Sequence, residues 1–208
     1  LATLLTEQGV TVHFVDATDP SSVAAAASQR RPAAILVETI SNPLLKLADI
    51  AALAGISKST GAALLVDNTF ASPYLCRPLL LGADYVVHSA SKYIGGHGDV
   101  LAGVVVSSSA NRDKLFAIEK KIGAVLAPEV AWLALRGLKT LPLRMREQCS
   151  NAALVARFLS GHPAVARVHY PGLPSYSQSE LAAQLFGERG FGGMVAFELR
   201  NATQSAAF

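Results

Sequence analysis

Lys92 sits in the string His88-Ser89-Ala90-Ser91-Lys92-Tyr93, directly after the apolar run Tyr85-Val86-Val87. A lysine amine flanked by small hydroxyl residues at a strand end can form an imine with a carbonyl where its surroundings favour the neutral amine. Ser89 and Ser91 are then placed to hydrogen-bond a phosphate. The same string also reads as a solvent-facing lysine in a serine-containing turn, and alone it does not choose between the two.

Asp67 ends a second apolar run, Leu64-Leu65-Val66, and is followed by Asn68-Thr69. A carboxylate at the end of a buried strand needs a partner, or it faces a desolvation cost of several kcal/mol. A protonated ring nitrogen would be such a partner, and opposite charges within about 4 to 6 Å favour the ionised form of both groups. The alternative is an aspartate that caps the following turn, with Asn68 and Thr69 sharing the work. Ile35-Leu36-Val37 leads in the same way into Glu38-Thr39-Ile40-Ser41-Asn42-Pro43, which also reads as a turn set by the proline and by local asparagine hydrogen bonds. Three successive strands with polar, ligand-capable ends favour one shared ligand over three unrelated turns.

The elements that must hold these residues follow from hydrophobic spacing. Val10 to Val15 reads as a strand, Ser21 to Gln29 as an alanine-rich helix, Ala34 to Val37 as a strand, Asp49 to Ser59 as a helix before Gly61, and Ala63 to Val66 as a strand. This alternation implies βαβ units and a parallel sheet, with ligands at the carboxyl ends of its strands. Tyr85 to Val87 and Leu101 to Val106 are further strands around the Gly95-Gly96-His97-Gly98 loop. Asn111 to Ile122, Pro128 to Leu135 and Leu141 to Leu159 are amphipathic helices, and Val165 to Val168, Ser177 to Phe186 and Gly193 to Leu199 suggest a small α+β unit. The domains expected are residues 1–150 and 151–208, divided near Ser150.

Composition narrows the classes. With 208 residues, about half of them hydrophobic, the chain can build one substantial core. Its net charge of +3 comes from 18 basic and 15 acidic residues without a Lys/Arg block, so no nucleic acid or membrane is expected as a partner. Cys76 and Cys149 lie far apart, which argues against a disulfide framework or a cysteine-rich zinc site and fits a reducing, cytoplasmic compartment. No apolar stretch approaches the roughly 18 residues that span a bilayer. His88 and His97 lack a carboxylate or cysteine at ligand spacing, so no metal site is expected. Leu1 is not an initiator Met, and an apolar pattern begins at Ala202 to Phe208, so the sequence reads as a piece of a longer protein.

The segments E-T-x-S-N-P at Glu38, V-D-N-T-F at Val66, H-S-A-S-K-Y at His88, G-H-G-D at Gly96 and R-G-L-K-T-L-x-x-R-M at Arg136 resemble the Cys/Met-metabolism pyridoxal-phosphate enzymes. That family includes cystathionine γ-synthase, cystathionine γ-lyase, methionine γ-lyase and homoserine-ester sulfhydrylases. The resemblance runs essentially the whole length and implies an α/β, aspartate-aminotransferase-like (fold type I) large domain followed by part of a small α+β domain. It implies Lys92 as the catalytic lysine and covalent anchor of pyridoxal 5'-phosphate, Asp67 against the pyridine nitrogen, and Ser89 and Ser91 on the phosphate. Thr69 would lie near the ring and Asn42 near the phenolic oxygen.

Ser91 stands where many relatives have threonine, which keeps the hydroxyl, and Asp99 tilts the likeness toward γ-synthase and γ-lyase members. The implied reaction is elimination or replacement on a small sulfur amino acid or homoserine ester, in a homotetramer. The family's ring-stacking tyrosine, its partner-subunit residues and its substrate-carboxylate arginine have no counterpart in this segment.

Two other readings compete. Strand-helix alternation also suits a Rossmann-like nucleotide binder, but no G-x-G-x-x-G follows a first strand. A non-catalytic scaffold paralogue would have no need of both Lys92 and Asp67.

Overall fold

The computed structural model describes residues 2–201; the apolar pattern at Ala202 to Phe208 lies outside them. Helix α1 spans Ala2–Glu7 and α2 spans Pro20–Arg30. Pro20 suits the first turn of α2 because its missing N–H would have no partner there, and Asp19 accepts the Ser21 amide hydrogen at 3.0 Å. Strand β1 is Ala34–Glu38, helix α3 is Ile50–Thr60 and strand β2 is Ala63–Asp67. Asp49 caps α3 by accepting from the Ala52 amide at 3.0 Å, and the left-handed Gly61 (φ 75°) ends it. After the short helix α4, Ser72–Leu75, come β3, Tyr85–Ser89, and β4, Gly103–Ser107.

These four strands form one sheet in the order β1-β2-β3-β4. The first three run parallel, and β4 joins antiparallel, which makes the sheet mixed but mostly parallel. Val37, Leu64, Val66 and Val86 project to one face and form the core with Ile50 and Leu53 of α3. Leu64, Val66, Ile50 and Leu53 are fully buried, so truncating one of the leucines or Ile50 to alanine costs about 2 to 5 kcal/mol.

Helices α5, Ser109–Ile122, and α6, Pro128–Ser160, follow. Strand β5, Val165–His169, and strand β6, Ala196–Leu199, pair antiparallel as a second sheet, with α7, Ser179–Phe186, between them in the chain. Ala182 and Phe186 of α7 reach the core of the first sheet, whereas Tyr170 buries itself against Ala152, Ala156 and Leu173.

Two expectations are corrected. Val10 to Val15 forms no strand: a ladder needs a neighbour for its N–H and C=O groups, and β1 pairs only with β2 among the described residues. Phe14 is accordingly 88% exposed. The two helices expected on either side of residues 136–140 are one, 33 residues long, running through Gly137 and Pro142. Proline removes one intrahelical donor, yet the helix continues through Pro142 to Ser160.

The face of α5 is unpartnered among the described residues: it buries none of its side chains, and Phe116, Ile118 and Ile122 remain exposed, as do Leu101 and Trp132 nearby in sequence. No helix among the described residues is long and apolar enough to cross a membrane.

Candidate active site

Parallel pairing in register puts Glu38 beside Asp67, and Asp67 beside Val87. The carboxyl ends of β1, β2 and β3 therefore lie along one edge, where β4 also begins, with Gly103 opposite Ser89. Side chains alternate between faces, so Asp67, Val87 and Ser89 share one face while Val66 and His88 point to the other. The edge is polar because the apolar runs of β1 and β2 stop at the same level and that of β3 stops one residue further on.

Asp67 is half-buried, and its Oδ1 accepts the Thr69 amide hydrogen at 2.9 Å. The turn-capping reading of this residue is thus realised, yet it occupies only one carboxylate oxygen. Asp67 makes no ion pair with Lys, Arg or His among the described residues. Beneath it the fully buried Asn68 accepts from the Thr39 hydroxyl at 2.7 Å and donates to the carbonyls of Ser72 and Cys76 at 3.1 and 2.9 Å. A buried amide satisfied on both sides makes the strand end rigid.

The hydroxyls are committed in one direction only. Thr69 Oγ1 accepts the Ser89 amide hydrogen at 2.8 Å, and Ser91 Oγ accepts the Ala102 amide hydrogen at 3.0 Å. Each oxygen is therefore used as an acceptor, and its proton stays available for an oxygen of a ligand. Ser89 makes no side-chain hydrogen bond among the described residues. Lys92 is exposed in the turn after β3, its amide donating to Ser89 at 3.2 Å and its carbonyl accepting from Gly96 at 2.8 Å.

Five of the six residues singled out from sequence, Asp67, Thr69, Ser89, Ser91 and Lys92, are thus brought to adjoining strand ends. Asn42 lies in the loop beyond β1, exposed, with no side-chain hydrogen bond to the other five among the described residues. Its amide donates to the Glu38 carboxylate at 3.3 Å, so Glu38 anchors this loop. The Asn42–Pro43 bond is cis. Tyr176 donates to the Leu45 carbonyl at 2.7 Å, and Gln178 both accepts from the Leu47 amide at 2.9 Å and donates to its carbonyl at 2.7 Å. Sequence reasoning missed this clamp, because nothing in Tyr176 or Gln178 signals a partner more than a hundred positions away.

His88 is buried with its Nδ1 unpartnered, and burial pushes the imidazole below its ordinary pKa while the Asp67 charge pulls weakly the other way. His97 Nδ1 lies 2.8 Å from the Gly95 carbonyl. No three His, Cys, Asp or Glu residues converge on a metal position among the described residues. Asp99 takes a hydrogen bond from Arg136 at 3.3 Å, and the Arg136 guanidinium lies over the Trp132 ring.

A carboxylate with a free oxygen, an exposed lysine and hydroxyls with protons to give suit a ligand that has a cationic ring nitrogen, a carbonyl and a phosphate. Pyridoxal phosphate fits this donor set. The fold and the site edge together define an α/β protein of the ligand-at-strand-ends kind.

The family described as Cys/Met metabolism PLP-dependent enzyme matches residues 1–208, and the chain belongs to that family. It is 47% identical over 204 residues to a probable cystathionine gamma-synthase of Herpetosiphon aurantiacus, covering 98% of this chain and 63% of that protein. It is 48% identical over 196 residues to the L-methionine gamma-lyase of Pseudomonas putida, covering 93% of this chain and 48% of that protein. Among solved structures it is similar to cystathionine gamma synthase from Xanthomonas oryzae pv. oryzae, with a TM-score of 0.93 and 40% identity over 99% of this chain and 53% of that one. Cystathionine gamma-lyase from Lactobacillus plantarum gives a TM-score of 0.91 and 44% identity over 95% of this chain and 51% of that one. The chain spans 63% of the first of these proteins and about half of the other three.

Proposed function

We propose that the whole protein carrying this chain is a pyridoxal-phosphate-dependent carbon-sulfur lyase or transferase. It acts by elimination or replacement on a sulfur amino acid or homoserine ester, in trans-sulfuration of the cystathionine γ-synthase and γ-lyase kind. The observation that carries this reading is the gathering of Asp67, Thr69, Ser89, Ser91 and Lys92 at adjoining ends of β2 and β3.

Bound pyridoxal phosphate supplies an electron sink for a carbanion at the amino-acid Cα. Lys92 Nζ anchors it and, when free, carries the proton taken from Cα. The free Asp67 oxygen holds a proton on the ring nitrogen. Ser89 and Ser91 would donate their hydroxyl protons to phosphate oxygens, Thr69 would border the ring, and Asn42 would serve the phenolic oxygen.

The same reading makes residues 1–150 an aspartate-aminotransferase-like, fold type I cofactor domain and 151–208 part of a small C-terminal domain, in a cytoplasmic homotetramer. The identity to an L-methionine gamma-lyase keeps methionine γ-elimination as a second reading.

The test is to load the whole protein with pyridoxal phosphate, reduce with borohydride and map the labelled peptide, then assay cystathionine, methionine, cysteine and acylated homoserines. The expected label is on Lys92. A label on another lysine, or no turnover of any of these substrates, would overturn the reading.

A further inference from the structure

The turn that carries Lys92 is closed by backbone hydrogen bonds that leave two of its carbonyls without a partner inside the turn. The Gly95 amide donates to Ala90 at 2.8 Å and the Gly96 amide to Lys92 at 2.8 Å, which leaves the carbonyls of Tyr93 and Ile94 open. Arg144 of α6 fills both. Its Nη1 donates to the Tyr93 carbonyl at 2.8 Å and its Nη2 to the Ile94 carbonyl at 3.3 Å, while Nη2 also donates to Gly137 at 2.8 Å and Nε to the Thr140 hydroxyl at 3.0 Å.

The guanidinium makes no ion pair with a carboxylate among the described residues. Its planar fork is spent wholly on oxygens of the lysine turn and of its own helix. The approach is close: a Cβ on Gly96 would overlap the guanidinium, and a Cβ on Gly137 would overlap the carbonyls of Ile94 and Gly95. Both glycines leave room for this contact. Burial lowers the Arg144 pKa from its ordinary value.

On its other side the turn is tied to the sheet. The Ala90 amide donates to Ala102 at 2.8 Å, and the Ala102 amide donates to Ser91 Oγ. The backbone at Lys92 is therefore held between the end of the sheet and α6, and the direction in which its side chain leaves the turn depends on both.

We propose that Arg144 is a positioning residue for Lys92: it docks the lysine turn onto α6 and so aims the amine at the atoms it must reach. This rests on the reading of Lys92 as the cofactor's anchor. A lysine in place of Arg144 keeps the charge but lacks the planar fork that reaches the Tyr93 and Ile94 carbonyls together, so the turn loses its clamp while the charge is retained.

The test uses the whole protein loaded with pyridoxal phosphate, as wild type, R144K and T140V, with bound cofactor and thermal midpoint measured for each. In R144K, kcat per bound cofactor should fall about ten- to a hundredfold with KM within about twofold, the scale expected of a misplaced reacting group. The pH midpoint of the visible cofactor band should shift, because the amine's surroundings change. T140V, which removes one acceptor from the fork, should shift both in the same direction by less. A variant with only a lower thermal midpoint, and with wild-type kcat per cofactor and pH midpoint, would show a packing role and overturn the proposal. Borohydride mapping of the wild type separates the two ideas: a label away from Lys92 refutes the anchor reading, whereas a label on Lys92 with unchanged R144K refutes the clamp alone.

Discussion

The Thr69 hydroxyl oxygen accepts the Ser89 amide hydrogen at 2.8 Å, a bond between the loop after β2 and the last residue of β3. It fixes the spacing of the strand ends that carry Asp67 and Lys92, and it leaves the hydroxyl proton free. Thr69→Val keeps the shape and removes the acceptor, so the half-buried Ser89 amide loses its partner. A loss of about 1 to 3 kcal/mol in urea unfolding is expected, with Thr69→Ser retaining most of the stability. Equal stability of the valine and serine variants would show the bond to be immaterial.

Lys92→Ala removes the proposed anchor and proton carrier together. Covalent attachment should vanish and activity should fall below about a thousandth of wild type, the scale typical of losing a nucleophile that also moves the proton. Absorbance after gel filtration and a steady-state assay of the whole protein check this.

Asp67→Ala removes the carboxylate while leaving Lys92 in place. Cofactor affinity should drop, and turnover of the saturated variant should fall about a hundredfold, as when one preorganised charge is deleted from a site. Titration with pyridoxal phosphate and exchange of the Cα hydrogen measure the two effects separately; unchanged values for both would exclude a ring-nitrogen role.

His88 carries a pH dependence of stability. Burial holds its imidazole below the ordinary value of 6.5, with Asp67 opposing only in part, so the unfolded chain binds a proton that the folded one refuses. Its contribution is complete above pH 6.5 and is lost as the pH falls below that value. Urea midpoints at pH 7.5 and 5.5 should differ more for wild type than for His88→Gln.

Burial pushes the Cys76 thiol up to about 11 and raises Cys149 as well. Both are buried and free, so thiolate is scarce at neutral pH and neither should react with iodoacetamide at pH 8 until urea is added. The linked stability from Cys76 is full below pH 9 and is lost as the pH rises toward 11. Mass spectrometry of the alkylated chain, native against unfolded, reads the result.

The sequence by itself determined the βαβ order and which polar residues stand at the strand ends of the candidate site, because both depend on local signals. Apolar runs ending in Glu38, Asp67 and Ser89 mark strand ends, and parallel pairing then sets Glu38 beside Asp67, with Ser89 two residues beyond the Val87 that pairs with Asp67. Caps such as Asp49 and Gly61 are local as well, which is why α3 lies where its spacing predicts. Only the tertiary structure decided the rest. Val10 to Val15 has a strand's hydropathy but pairs with no strand among the described residues, while the segment with Gly137 and Pro142 continues as one helix, α6, which Arg144 ties to the lysine turn. The partners of Arg144 are backbone carbonyls, which every residue possesses, so no pattern of side chains could announce them.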